Sequence, residues 1–199
     1  EIISHPIQLA FDAMKKTIPF AIPQARVNFK GRINDICFHP RQNIIAIGSG
    51  IRKVILWNYE TASPVTVLDG FEHSISKTIY LPDGTLVIGE RTNRNSPCGI
   101  YTWDSHHAQR IGMHGASITS IIPMGPQHFI SCGRDQQIIQ WRLNSPFPPV
   151  NTNLPVWARA ACLSPDHQFL MIFDEYPYRF DLNTGDYKFQ VYTRKNRKI

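Results

Sequence analysis

The feature that most constrains this chain is a frame that recurs about every 40 residues. Trp57, Trp103, Trp141 and Phe180 each close a short β-prone run: KVILW, GIYTW, QIIQW and YRF. Upstream of each anchor stand an alternating apolar strand, a turn with Pro, a second apolar strand and a short loop. The four stretches are INDICFHPRQNIIAIGSG, ISKTIYLPDGTLVIGE, ITSIIPMGPQHFISCG and ARAACLSPDHQFLMIFD. Turns are predicted at His39-Pro40, Pro82-Asp83-Gly84, Pro123-Met124-Gly125 and Ser164-Pro165-Asp166. Pro presets φ at the first turn position, and Asp or Gly tolerates the rest. A further strand follows each anchor, at 64–68, 108–113 and 186–192. In the third unit that place is taken by SPFPPVNTNLP (145–155). Pro donates no ladder hydrogen bond, so this segment is predicted to be an edge strand or no strand.

Four short strands per unit, with turns and no intervening helices, predict an all-β antiparallel array. A four-strand period of this length is the signature of β-propeller blades. One blade cannot bury both faces of its sheet and needs neighbours on either side. The predicted blades span about 31–70, 71–113, 114–155 and 156–192. Residues 1–30 fall outside the frame. Ser4 caps a predicted short helix, with Pro6 in its first turn and Ile7, Ala10, Phe11 and Met14 on one face; Pro19 and Pro23 end it. ARVNF (25–29) is a candidate outer strand, and 193–199 is a basic tail.

Composition excludes several classes. Hydrophobic content of 42% with 18% charge is a soluble globular balance. No apolar run reaches the roughly 20 residues of a membrane span. The net charge of +6 hints at nucleic acid, but Arg194, Lys195, Arg197 and Lys198 supply four of the 21 basic residues. Without them 17 basic residues face 15 acidic ones, leaving +2. Cys37, Cys98, Cys132 and Cys162 form no CxxC pair, which argues against a sequence-local zinc site and for reduced thiols in an intracellular protein, cytoplasmic or nuclear. Cys37 and Cys162 share one slot, three residues before the turn Pro, and are predicted to be small buried side chains. No G-x-S-x-G elbow, P-loop or G-x-G-x-x-G occurs. His106-His107 would point to opposite faces of a strand and lack a third metal ligand nearby, and Asp174-Glu175 reads as a solvated turn. Neither catalysis, metal nor cofactor is expected.

The residues resemble the WD-repeat β-propeller family over about 160 residues. The resemblance implies a hydrogen-bonded tetrad in the third unit, made of His114, Ser131, Asp135 and Trp141. Such partly polar, buried side chains need partners, and their network rigidifies a blade. The other units depart from the pattern. The first has Ile47 and Ile51 at the Ser and Asp positions. The second keeps His73, Trp103 and Asp104, with Pro97 at the Asp position after an enlarged loop; the fourth has Phe180-Asp181 for Trp-Asp. Members of the family usually close with about seven blades. Four blades would form an open arc with exposed sheet faces. The arc reads as part of a larger propeller, as one completed by another copy or partner, or as an unusual small ring. The start at Glu1 rather than Met favours the first of these.

Function is therefore sought in recognition. The resemblance implies a partner site on the face built by interblade loops and second-to-third-strand loops. Those loops hold Lys30, Arg32, Arg52, Lys53, His73, Lys77, Arg91, Arg94, Arg134, Trp157, Arg159 and Tyr176, with Asp69, Glu72, Glu90, Asp174 and Glu175 interspersed. Arg, Trp and Tyr are the types that anchor interfaces. The expected activity is a non-enzymatic scaffold, a subunit or adaptor binding a protein or peptide, with acidic or phosphorylated segments the class that Arg grips bidentately. The alternative is a nucleic-acid-associated subunit using basic loops and the C-terminal tail, with steeply salt-dependent binding.

Overall fold

The computed structural model describes residues 31–189, apart from Asn95 and His106. The predicted N-terminal helix, the 25–29 strand, Lys30 and the basic tail lie outside the described residues.

The chain folds into four antiparallel sheets of four strands each, in sequence order within every sheet. The first contains β1 (Ile33–Phe38), β2 (Ile44–Ser49), β3 (Val54–Asn58) and β4 (Ser63–Leu68). The second contains β5 (Ser74–Tyr80), β6 (Leu86–Arg91), β7 (Cys98–Trp103) and β8 (Ala108–His114). The third contains β9 (Ile118–Gly125), β10 (His128–Gly133), β11 (Gln137–Arg142) and β12 (Val150–Asn153). The fourth contains β13 (Ala160–Leu163), β14 (Phe169–Phe173), β15 (Pro177–Asp181) and β16 (Tyr187–Phe189). These are β-propeller blades. No helix occurs among the described residues, so none there is long and apolar enough to cross a membrane.

Alternation explains why the strands read as near-continuous apolar runs: both faces of a middle blade are covered. On β11, Ile139 and Trp141 join a cluster with Val87, Cys98 and Ile100 of the second blade. The intervening Ile138 turns the other way, into a cluster with Leu170, Ile172 and Phe180 of the fourth. A third cluster joins Ala46, Val54 and Leu56 to Phe71, Ile75 and Leu86. Polar ties repeat at the same interval. Asn34 Nδ2 donates to Ile75 O (2.7 Å), Arg41 to Pro82 O (2.7 Å) and Ala161 N to Ser120 Oγ (3.0 Å), each linking residues 41 apart. One repeat therefore steps from one blade to the next.

The two end faces differ from the interior ones. Trp57, Ile45, Ile47 and Ile55 occupy the slots that in blade 3 pack on the preceding blade. Around them Ile36, Phe38, Val65 and Val67 stand exposed among the described residues. On the far face of blade 4, Cys162 and Phe173 are exposed.

Two expectations need correction. The third-unit turn is not at Pro123-Met124-Gly125. β9 runs through Gly125, and the turn falls at 126–127, with Gln127 at φ +60°. Pro123 is tolerated because β9 is an edge strand and the register shifts beside it, between His128 and Phe129. The Pro-rich 145–155 segment yields one short strand, β12, paired only with β11 at the outer edge. The second correction concerns Cys162. It shares its register slot with Cys37, opposite Met171 as Cys37 is opposite Ala46. Cys37 packs against blade 2, whereas Cys162 faces outward and is exposed.

Burial pushes the Cys37 and Cys98 thiols up to about 11 and Cys132 up to about 12. The thiolate is the nucleophile, so these groups are inert near neutrality. Iodoacetamide at pH 8 is expected to modify Cys162 first in the folded chain, with Cys98 and Cys132 reacting only after denaturation. Peptide mapping after a short pulse reads this directly, and early labelling of Cys132 would contradict the packing.

Candidate functional site

The loop face is organised by equivalent slots at the ends of the second strands. Ile45, Leu86, Phe129 and Leu170 stand opposite the anchors Trp57, Trp103, Trp141 and Phe180. Two residues further, the slot holds Ile47, Ile88, Ser131 and Ile172; four further, it holds Ser49, Glu90, Gly133 and Asp174. The polar chemistry of each blade follows from these two positions.

In blade 3, Ser131 makes a continuous network possible. Trp141 Nε1 donates to Ser131 Oγ (2.8 Å), and Ser131 Oγ lies 2.7 Å from His114 Nε2. His114 Nδ1 lies 2.9 Å from Asp135 Oδ2, which also accepts from Gly115 N (2.8 Å). Asp135 Oδ1 accepts from Gln137 N (3.2 Å). With the proton on Nδ1, every side-chain donor in this network has an acceptor. Gly133 leaves the room: a Cβ there would sit 2.6 Å from Asp135 Oδ1 and 2.7 Å from His114 Nδ1.

Burial pushes the Asp135 carboxyl up, but the hydrogen bond from His114, with the Gly115 and Gln137 amides, outweighs it and holds the group below its ordinary value. A lowered folded pKa stabilises the fold above the unfolded value, about 3.9 for Asp. That stabilisation is lost as pH falls through the folded value. Urea midpoints measured downward from pH 5 are expected to fall less steeply in Asp135→Asn than in the parent chain.

Blade 2 meets the same need differently. Ile88 takes the Ser slot and Glu90 takes the Gly slot. Glu90 is fully buried. It accepts from His73 N (3.0 Å), Gly99 N (2.8 Å) and Tyr101 Oη (3.4 Å). Gly99 is again the room-maker, since a Cβ would lie 2.5 Å from the Tyr101 ring. Register also corrects the assignment of His73. Ile75 faces Glu90 as Ile118 faces Gly133, so four residues back Phe71, not His73, matches His114. Phe71 packs edge-on against Tyr101 at 5.0 Å. Trp103 has no equivalent of Ser131 beneath it. Glu90 is correspondingly not a surface acid of the face. Blades 1 and 4 use Ser49, whose Oγ donates to Lys53 O (2.7 Å), and Asp174, which accepts from Arg159 Nε (2.6 Å).

These slots hold the loops that carry the arginines. Arg91 follows Glu90 directly, and Arg134 lies between Gly133 and Asp135, its amide bonded to Ser117 O (2.9 Å). A cleft of about 520 Å³ is lined by Arg32, Arg52, Arg91 and Arg94, with Glu72 and His73. A second, of about 280 Å³, is lined by Arg91, Arg134, Arg159 and Lys77. Asn34 and Arg91 line both, so the clefts adjoin. Eight of the twelve candidate loop residues thus converge.

Pairing separates these cations. Lys77 lies 3.6 Å from Asp35, and Arg159 is bound to Asp174. Glu72, the carboxylate of the larger cleft, is held by Arg110 at 3.1 Å. Arg32, Arg52, Arg91, Arg94 and Arg134 have no carboxylate partner among the described residues. The positive φ of Arg52 (61°) recurs at Gln136 (62°), the same turn position in blade 3, so it belongs to the turn and not to the cleft. The remaining candidates stand apart. Lys53 pairs with Asp69 at 3.7 Å. Trp157 and Tyr176 are exposed on the same loop end but line neither cleft. The sequence reading placed Glu90 among the loop acids of the face, whereas aligning the blades on their anchors puts it in frame with Gly133, at a buried position.

A third cleft, of about 560 Å³, opens at the opposite end of blades 1 and 2, beside His39, Tyr80 and Trp103. It gathers no cluster of like charge. No group of three or more His, Cys, Asp or Glu side chains among the described residues could hold a metal ion.

No protein-family model matches the chain, and no curated protein matches it. Among solved structures, a chain in the crystal structure of a mitotic checkpoint complex superposes with a TM-score of 0.65 at 13% identity. The match covers 81% of this chain and 51% of that one, so the chain spans about half the length of its structural neighbour. Matches extend to 1036 solved chains, too many for the likeness to specify a partner. What the comparison establishes is the fold: a run of four β-propeller blades.

Proposed function

We propose that this chain is the blade-bearing part of a non-enzymatic, WD-type interaction scaffold, a subunit or adaptor whose loop face binds an acidic segment of a partner protein. The observation that carries the reading is the convergence of five carboxylate-free guanidinium groups on two adjoining clefts. Binding residues gather on loops held by a rigid scaffold, and here Glu90 and Asp135 fix the backbone beside Arg91 and Arg134. Guanidinium forks match carboxylates bidentately. The exposed end faces of blades 1 and 4 are covered, in this reading, by further sheet from the same assembly.

The test is fluorescence anisotropy of a glutamate-rich peptide with the whole chain. Binding that falls at least about tenfold in the Arg91→Gln, Arg134→Gln double variant is expected, since charge-assisted bonds contribute roughly 1.5–3 kcal/mol each. Preference for a single-stranded RNA, with affinity falling steeply as salt rises, would favour the nucleic-acid alternative instead.

A further inference from the structure

Resting on that reading of the loop face, we infer that the two adjoining clefts form a two-point site for a phosphorylated protein segment, with Arg91 shared between the two phosphate positions. The larger cleft presents Arg32, Arg52, Arg91 and Arg94 against one carboxylate, Glu72, already held by Arg110. Four planar forks exceed what the two oxygens of a single Asp or Glu side chain can engage. A phosphate monoester carries about −1.5 to −2 charges and three acceptor oxygens, and so satisfies several forks at once.

The cleft walls leave recognition to the guanidinium groups. Ser74 Oγ donates to Gly50 O, Ser117 Oγ to Thr92 O and Thr119 Oγ1 to Ala158 O, so these hydroxyls are already committed. The smaller cleft adds Arg134 as a carboxylate-free cation, while Arg159 and Lys77 are partly neutralised by Asp174 and Asp35. It therefore holds the weaker of two anion positions, and Arg91, lining both, couples them. The same acids argue against a nucleic acid. Asp35, Glu72 and Asp174 interrupt the basic surface, whereas a polynucleotide needs a continuous track for its evenly spaced phosphates.

The experiment compares three fluorescent peptide libraries with the same randomised flanks. One carries unmodified serine, one a single phosphoserine, and one two phosphoserines at short spacings. Affinity is expected to rise about tenfold with the first phosphate and further with the second. Arg91→Gln should abolish the gain from the second phosphate and weaken the first. Arg142→Gln, the same charge change at the other end of β11, should leave all three unchanged. Unaltered urea midpoints for both variants keep the readout one of binding. Equal affinity for all three libraries, lost in Arg91→Gln, overturns the phosphate site while leaving the loop face as a binding surface. Absence of binding by any library overturns both. Displacement of the phosphopeptides by an equal concentration of tripolyphosphate, or tighter binding of single-stranded RNA, also overturns the inference.

Discussion

Trp141→Ala is expected to destabilise the chain by about 3–5 kcal/mol, the range for emptying a buried aromatic site. Trp141 is 5% exposed and stacks on Phe129 with ring centroids 5.8 Å apart. It also covers Gly112, where a Cβ would lie 2.5 Å from the indole. Truncation opens a cavity between blades 2 and 3 and removes the donor to Ser131. Trp141→Phe isolates the second effect: it keeps most of the packing and loses the hydrogen bond, an expected cost of about 1–3 kcal/mol. Trp103→Phe is the internal control. Ile88 lies where Ser131 would, so no such bond exists to lose, and Trp103 is only partly buried, so the expected cost is smaller, about 1 kcal/mol. Equal costs for Trp141→Phe and Trp103→Phe in urea denaturation would contradict this account of the tetrad.

Glu90→Ala is expected to cost a comparable amount, about 3–5 kcal/mol, for a different reason. Removing the shared acceptor of a buried hydrogen-bond network strands its donors, each at about 1–3 kcal/mol. The Gly99 amide and the Tyr101 hydroxyl would lose their acceptor in a buried site, and the His73 amide would lose it at the partly exposed edge. Glu90→Gln should cost less, because one carbonyl oxygen remains. Since Glu90 immediately precedes Arg91, the alanine variant should also weaken peptide binding through disorder of the loop. The glutamine variant should retain it.

Much of the fold was legible because the physics that builds a blade is local. Each turn residue, each alternating run and each anchor repeats with the period of the blade, and covering both faces of a sheet demands the next copy. Pro123 misled because Pro marks a turn in most contexts yet is equally at home on an edge strand beside a register shift. Cys162 misled because its slot is buried only where another blade packs on that face, and none does among the described residues. The tetrad residues could be picked out in blade 3, where Ser131 and Asp135 stand at recognisable distances from Trp141. In blade 2 the acid moved from the loop to the strand, so the motif disappears while the need to satisfy the loop amides remains. His73 looked like the counterpart of His114 because loop length shifted by two residues, and only strand pairing reveals Phe71. The arginines could be found as residue types on predicted loops. Which of them share a cleft, and which are already neutralised by a neighbouring acid, depends on side chains that only the packed blades bring together.

The buried acids and the exposed arginines make one arrangement. Glu90 and Asp135 sit beneath the surface and fix the backbone, and the adjacent Arg91 and Arg134 face outward without carboxylate partners. Stability and recognition are therefore expected to separate by substitution, although the residues are adjacent in sequence. The most direct measurement pairs urea denaturation with peptide anisotropy on the Arg91→Gln, Arg134→Gln double variant. An unchanged unfolding midpoint with at least about tenfold weaker binding to an acidic peptide is predicted. Full retention of binding, or a loss of binding explained by a collapsed midpoint, would contradict the assignment of this face as the recognition surface.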